Sequence, residues 1–405
     1  MKKLNEMLQY ASEHNEFYMD MIKQYGISDP LDISQYPIIT REMLQNGRKF
    51  ILSSEYKINN ITNRLYRLSS SGTSGIPVQT LWEPNQYAQS MLGLWRRRKK
   101  YYNISPNDRH IDFMLKYYNK LPSDTLKYKL TGNTISVSRL NLGNEDVMAE
   151  LFGLMETFQP IWLQLAPSVM EFMINYCIIN HKNLPCSIRY IEFMSEILTP
   201  SMRAQTRELL PNVIIANMYG SEEMNPIAYE CPCGQLHIIS ENVFAECFNE
   251  NIILPDGEGN ILLTNLNNKV TPLIRYDQGD RVKISPRKTC ACGYQDKIIL
   301  ELIGRKSSAT EINGKNITTC DVSDIMLIVS NKYSHPIQKY KFVYEKDNSK
   351  LICYTVFSPS YLGWRKEIWK TIEELFVEKY GTMNMEFVLG DCDNSKYKHD
   401  LFVVK

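Results

Sequence analysis

Leu4, Met7, Leu8 and Ala11 recur at the three- and four-residue spacing of a helix face, and Pro30 and Pro37 break the chain into turns beyond it. Residues 1–55 therefore read as short helices and turns laid on the outside of a larger body. From Tyr66 to about Asn217, strand-like runs at residues 188–194 and 213–216 alternate with helical stretches at 85–100 and 147–158. Such alternation predicts an α/β sheet. Between Leu236 and Ile284 the pattern becomes short β runs joined by turn residues, which predicts antiparallel sheet. Residues 255–259 read there as a hairpin turn between runs at 251–254 and 261–264. The last hundred residues are α+β in pattern, with helices at 322–331 and 364–380 and strands at 339–344, 350–356 and 385–389. A small separate C-terminal domain fits, and the chain carries no internal repeat.

The 405 residues fill two or three domains of ordinary size, about 100–200 residues each. Lys+Arg number 46 against 45 Asp+Glu, and a net charge of +1 lacks the concentrated positive field of a dedicated nucleic-acid binder. The expected partner is a small molecule. The basic run at 96–100, with Trp95, Tyr101 and Tyr102 beside it, could stack on single-stranded nucleic acid. Its place at a helix end, where the macrodipole favours cations, makes a structural role the better expectation. No apolar h-region follows Lys2 and Lys3, because Glu6, Glu13 and Glu16 interrupt it, and no run approaches about 18 apolar residues. A cytoplasmic protein without a membrane partner is the expectation, and ten cysteines are then thiols or metal ligands rather than disulfides. Cys177, Cys186, Cys247, Cys320, Cys353 and Cys392 read as small buried residues.

The other four come in pairs, Cys231-Pro232-Cys233-Gly234 and Cys290-Ala291-Cys292-Gly293, each closed by a glycine that lets the chain turn. Four thiolates suit tetrahedral zinc, so Cys231, Cys233, Cys290 and Cys292 form the expected set, with His237 as a competing ligand. A closed shell of this kind braces a fold and does no chemistry. The strongest local signal is the stretch 68–77, Leu-Ser-Ser-Ser-Gly-Thr-Ser-Gly-Ile-Pro, between strand-like runs at 63–68 and 78–81. Its glycines allow backbone N–H groups to converge on an anion while Ser and Thr hydroxyls add donors. No Gly-Lys-Ser/Thr closes it, so it is not a Walker A loop.

This loop resembles the phosphate loop of the AMP-forming adenylating enzymes, in particular their phenylacetate–CoA ligase and capsule-associated CapK-like branch. The resemblance continues in order through the segments 195–200 (Ser-Glu-Ile-Leu-Thr-Pro), 219–223 (Tyr-Gly-Ser-Glu-Glu), 234–238 (Gly-Gln-Leu-His-Ile), 272–280 (Pro-Leu-Ile-Arg-Tyr-Asp-Gln-Gly-Asp), 303–305 (Ile-Gly-Arg) and 395–396 (Ser-Lys). It spans almost the whole chain and includes Tyr10-Ala11 and residues 36–40 near its start. The fold it implies is a large N-terminal adenylation domain of mixed sheets with an antiparallel β region, residues 1–304. A small mobile α+β lid, residues 305–405, completes it.

The implied activity joins a carboxylic acid to ATP as an acyl-adenylate and passes the acyl group to a thiol, most often that of coenzyme A, with an aromatic acid as commonest substrate. By the same resemblance Ser70, Ser71, Gly72, Thr73, Ser74 and Gly75 cradle phosphates, Glu223 holds Mg²⁺, and Tyr219 with Gly220 lies against adenine. Asp280 accepts from the ribose hydroxyls, Arg305 sits near ribose or phosphate, and Glu196 borders the nucleotide and acyl pockets. Lys396 is the mobile cation that stabilises transition-state charge. The segment 313–316 matches a loop that approaches the acceptor, and His110, Asp112, Tyr117 and Tyr118 could line the acyl pocket, although aromatic residues are more often core. Three departures stand out: Ile76 replaces a frequent lysine, Glu222 replaces a Ser or Thr, and Lys306-Ser307 replaces an acidic pair. They admit slower adenylation or a weakened nucleotide-binding scaffold, and transfer to a carrier-protein thiol or an amine also fits. A homodimer is compatible with all of these.

Overall fold

The computed structural model describes residues 1–46, 51–57, 64–69, 78–114, 125–287, 289–305, 309–334, 336–390 and 401–405. Its contacts divide the chain into two compact units, one of residues 1–106 and 218–302, the other of residues 107–217 and 303–405.

The first unit is largely antiparallel sheet. Its strands run in the order Ile252–Leu254, Val243–Asn249, Gly257–Asn265, Tyr276–Ser285, Ile298–Arg305, Leu236–Ile238, Asn225–Glu230 and Ile214–Ser221. The helices Lys2–His14 and Glu16–Tyr25 lay Leu4, Leu8, Tyr18 and Met21 on one face of it, in a core with Ile261, Leu263 and Ile274. Asn15 caps the second helix by accepting from Phe17 N–H, and Gly26 ends it in the left-handed region. Ile39 bridges Tyr276 in parallel register, with Ile39 N–H donating to Arg275 O and Asp277 N–H to Ile39 O. Arg275, itself buried, locks this crossing with a two-point ion pair to Glu246 and further bonds to Ser34 O and Tyr36 O.

The hairpin expected around residues 255–259 is not formed. Ile252–Leu254 instead turns back on Val243–Asn249, whose other edge pairs with Gly257–Asn265. The reason is local: Glu250 and Asn251 both have positive φ, 48° and 67°, and so supply the two-residue turn of a tight hairpin. Pro255 and Asp256 are left to cross from one edge of Val243–Asn249 to the other, and Gly257–Gly259 already pair with Val282–Ile284.

The second unit holds two cores. In the first, the parallel strands His110–Asp112, Trp162–Leu165 and Tyr190–Phe193 pair in that order, with Ile214 and its neighbours beyond Tyr190–Phe193. Thr134–Val137 extends the sheet in parallel and Tyr128–Thr131 closes that edge antiparallel. Alternate residues Ile111, Leu163, Leu165, Ile191 and Phe193 point into one core under the helices Glu145–Phe158, Pro167–Asn180 and Pro200–Leu209. Asn144 and Thr199 cap two of those helices with their side chains.

The second core belongs to residues 312–404. Its sheet runs Asn384–Leu389, Lys350–Phe357, Ile337–Glu345, Phe402–Val404, and the helices Thr319–Tyr333 and Arg365–Tyr380 pack Val322, Met326, Ile368 and Phe376 against it. A reciprocal Thr318–Asp321 capping box starts the first of these helices. Thr199, Ser201 and Ser323 join the two cores through a buried hydroxyl cluster at 2.8–3.1 Å. The strand Phe402–Val404 and the short hairpin of Ala309–Ile312 with Lys315–Thr318 add to the elements expected from the sequence pattern.

Candidate functional site

Strand Tyr66–Ser69 pairs antiparallel with Gln79–Trp82 in the register Ser69 opposite Gln79, and the Ser/Thr/Gly stretch falls between these two strands in sequence. Ser70, Ser71, Gly72, Thr73, Ser74 and Gly75, with Ile76, lie outside the described residues. The hairpin's return strand is pinned at two points. Thr80 Oγ1 donates to Glu222 O at 3.0 Å, and Leu81 O accepts from Thr271 Oγ1 at 3.1 Å. Asn265 Nδ2 donates to Glu223 O at 3.1 Å. These bonds hold the backbone of Glu222 and Glu223 at the foot of the glycine-rich hairpin.

Strand Ile214–Ser221 delivers the next group of side chains. Gly220 leaves no room for a side chain, since a Cβ there would stand 2.8 Å from Asn225 O. On one side of it Tyr219 donates its hydroxyl to Asp280 Oδ2 at 2.8 Å. Gln278 Nε2 donates to the same carboxylate oxygen at 2.9 Å and also contacts the Tyr219 hydroxyl. On the other side Glu223 is buried, 5 % exposed, with the Tyr276 hydroxyl 3.5 Å from its Oε1. Burial, reinforced by the Glu223 carboxylate, drives the Tyr276 phenol far above its ordinary range, so Tyr276 stays a neutral hydrogen-bond donor. The strand and the residues just after it thus meet strand Tyr276–Ser285 at two points, Tyr219 with Gln278 and Asp280, and Glu223 with Tyr276. The sequence motif at 272–280 contained both added residues, but nothing in their spacing marked them as partners of Tyr219 and Glu223.

Other expected residues belong to the second unit. Glu196, in the second unit, accepts from Ser168 N–H at 3.0 Å and from Ser168 Oγ at 2.9 Å. It therefore serves the N-terminus of helix Pro167–Asn180, with Arg139 4.0 Å away. Arg305 ends strand Ile298–Arg305, and its side chain, like the whole of Lys396, Lys306, Ser307, Tyr117 and Tyr118, is outside the described residues. Asn313 and Gly314 form a tight turn tied to helix Arg365–Tyr380 and the residues beyond it, with Asn313 Nδ2 donating to Tyr380 O and Thr382 O at 3.0 Å. Asp112 accepts from Ser136 Oγ and Met114 N–H; burial pushes its carboxyl up and these donors pull it back. His110 stacks on Trp162 with ring centroids 4.2 Å apart.

A second cluster lies in the first unit. One ligand-type atom from each of Cys231, His237, Cys290 and Cys292 falls within 4.8 Å of the others, with Cys231 Sγ to Cys290 Sγ at 3.9 Å and Cys292 Sγ to His237 Nε2 at 3.4 Å. Cys233 is exposed and outside this group, so the four expected thiols are not the four gathered. The basic run behaves as a structural element. Arg97, near the end of helix Pro84–Tyr102, is fully buried and pairs with Glu241 at 2.8 Å and Asp296 at 3.1 Å while its guanidinium covers Tyr294. Among the described residues no helix is long and apolar enough to cross a membrane.

No family model matches the sequence. Protein CapK of Staphylococcus aureus is 24% identical over 376 residues, which are 88% of this chain and 77% of that protein. Among solved structures, 2-hydroxyisobutyryl-CoA ligase in the postadenylation state, in complex with 2-HIB-AMP, superposes with a TM-score of 0.73. The match covers 100% of this chain and 88% of that one at 15% identity. The anthranilate CoA ligase AuaEII in complex with anthranoyl-AMP superposes with a TM-score of 0.57, over 84% of this chain and 66% of that one, also at 15% identity. The fold is that of the AMP-forming CoA ligases, mixed sheets followed by a small C-terminal sheet, and the sequence is CapK-like along most of its length.

Proposed function

Starting from a chain with the adenylating-enzyme fold and a CapK-like sequence, we propose that it activates a carboxylic acid with ATP, releasing pyrophosphate, and transfers the acyl group to a thiol with release of AMP. The observation that carries this reading is the Thr80–Glu222 bond, which anchors the foot of a glycine- and hydroxyl-rich hairpin beside Glu223 and Tyr219. An anion-wrapping loop, a buried carboxylate and a hydroxyl-binding carboxylate are then supplied within one compact unit. That is the inventory a nucleoside triphosphate needs.

In this reading Asp280 accepts from the ribose hydroxyls, and Gln278 and Tyr219 fix the orientation of its carboxylate by donating to Oδ2. The Tyr219 ring packs on the base, while Gly220 keeps the backbone beside it free of a side chain. Loop N–H groups and hydroxyls from Ser70 to Gly75 bind phosphate oxygens. Glu223 fits a magnesium ion, since a single carboxylate with phosphate oxygens is a characteristic Mg²⁺ donor set. The ion's contribution is charge neutralisation between the phosphates. Positioning of two mutually repelling anions is then the main catalytic device. Lys396 and Arg305 supply the remaining positive charge at the phosphates and the reacting carboxylate. The acid is aromatic and the thiol that of coenzyme A, in keeping with the branch the sequence resembles.

The test is acid-dependent exchange of labelled pyrophosphate into ATP with a panel of carboxylic acids. Exchange that requires one of the acids supports the ligase. ATP binding without exchange supports the scaffold reading that Ile76 and Glu222 suggest. Coenzyme A, a carrier protein and an amine added in turn to the active pair identify the acceptor.

A further inference from the structure

We infer that Cys231, His237, Cys290 and Cys292 hold one zinc ion as a closed Cys₃His centre, with Cys233 outside the coordination shell. Two copies of one turn build it. Cys231 N–H donates to Gln235 O at 2.9 Å and Gly234 N–H to Cys231 O at 2.8 Å; Cys290 N–H donates to Tyr294 O at 3.0 Å and Gly293 N–H to Cys290 O at 2.9 Å. Each glycine has positive φ, 71° and 88°, a conformation that only glycine adopts readily and that folds each Cys-x-Cys-Gly segment into a knuckle. Two matching knuckles facing one another across antiparallel strands present their first cysteines to a common point.

Distances support a tetrahedron at that point. With Zn–S of about 2.3 Å and Zn–N of about 2.0–2.1 Å, the edges of a tetrahedral site are about 3.8 Å between sulfurs and about 3.6 Å between sulfur and nitrogen. The observed separations are 3.9 Å for Cys231 to Cys290 and 3.4 Å for Cys292 to His237. A disulfide between Cys231 and Cys290 would require the sulfurs to close to about 2.05 Å. Three sulfurs and one imidazole are the donor set of structural zinc rather than of calcium or magnesium, which take oxygen.

The surroundings are built for a fixed ion. Cys231, His237 and Cys290 are 1 %, 0 % and 8 % exposed. The hydroxyl of Tyr101, at the end of helix Pro84–Tyr102, reaches Cys292 Sγ at 3.3 Å and can donate to the thiolate, which is how outer partners orient metal ligands. Zinc here joins three separate stretches: the turn before strand Leu236–Ile238, the segment leading into Ile298–Arg305, and the helix end. All ligand positions are taken, so the ion braces this corner and offers no site for substrate.

The full-length protein, purified without chelator, tests the centre by zinc content from plasma mass spectrometry and by X-ray absorption at the zinc edge. About one zinc per chain is expected in the wild type and in Cys233→Ser, falling at least about tenfold in Cys231→Ser and Cys290→Ser. Because ligand variants can fail to fold, the wild-type spectrum decides independently. A shell of three sulfurs and one nitrogen supports the centre, and a shell of four sulfurs overturns the assignment of His237. Protein that contains no zinc and does not take it up when titrated with the free ion overturns the site, as does recovery of a Cys231–Cys290 disulfide.

Discussion

The hydroxyl of Tyr219 donates to Oδ2 of Asp280 at 2.8 Å across residues 61 apart in sequence. One residue lies in strand Ile214–Ser221 and the other in strand Tyr276–Ser285. Their meeting makes a carboxylate whose orientation is set before any ligand arrives.

Asp280→Asn tests the use of that carboxylate. Loss of the charge-assisted bonds to ribose proposed for Asp280, about 1.5–3 kcal/mol, should weaken ATP binding by about ten- to a hundredfold in calorimetric titration. Gln278→Ala should act in the same direction with a smaller effect, because it disturbs the orientation of Asp280 and leaves its charge. Equal affinity in wild type and Asp280→Asn would remove Asp280 from the ribose site.

In the role proposed for Lys396 its charge serves the transition state, so Lys396→Ala should slow acid-dependent pyrophosphate exchange by about a hundred- to a thousandfold while changing ATP affinity little. An exchange rate equal to wild type would take Lys396 out of the adenylation step.

Gly220→Ala introduces a Cβ 2.8 Å from Asn225 O, a contact with backbone that can be relieved only by moving one strand against the other. A loss of about 1–3 kcal/mol is expected in urea unfolding, together with weaker ATP binding. Unchanged stability would mean that the strands separate freely there.

Burial, with the nearby charge of Glu196 second and Lys339 opposing, pushes the Glu171 carboxyl from 4.5 up to about 8. The folded protein then keeps a proton that the unfolded chain releases. This contribution to stability is complete below about pH 4.5 and is lost as pH rises towards about 8. Glu171→Gln should therefore lose less stability than wild type between pH 5 and pH 8 in chemical unfolding. Parallel pH profiles for the two proteins would refute the shift.

Much of the fold was legible because it rests on periodicity. The helices at 85–100 and 147–158 and the C-terminal strands at 339–344 and 350–356 fall within or closely match Pro84–Tyr102, Glu145–Phe158, Ile337–Glu345 and Lys350–Phe357. The hairpin at 255–259 misled because its proline and glycines are a stronger turn signal than Glu250-Asn251, yet the pair with positive φ formed the tighter turn. At the candidate site, the motif residues Tyr219, Glu223 and Asp280 stand out in the sequence. Gln278 and Tyr276 do not, because a side chain's partner across a sheet depends on register rather than on spacing along the chain. His237 entered the cysteine cluster in place of Cys233 for a related reason: strand Leu236–Ile238 turns its imidazole inward, while Cys233 sits at the exposed tip of its knuckle. Short spacing between cysteines says nothing about which of them faces inward.

Phe402, wholly buried in the last strand, pairs in parallel with Phe342, while Gly390 N–H donates to Thr355 O on the neighbouring strand. Phe402–Val404 thereby covers the edge of Ile337–Glu345 that faces away from Lys350–Phe357. An uncovered strand edge offers unpaired N–H and C=O groups to any other chain that meets it. Deleting residues 401–405 would bare that edge together with Phe342, and should make the protein prone to self-association.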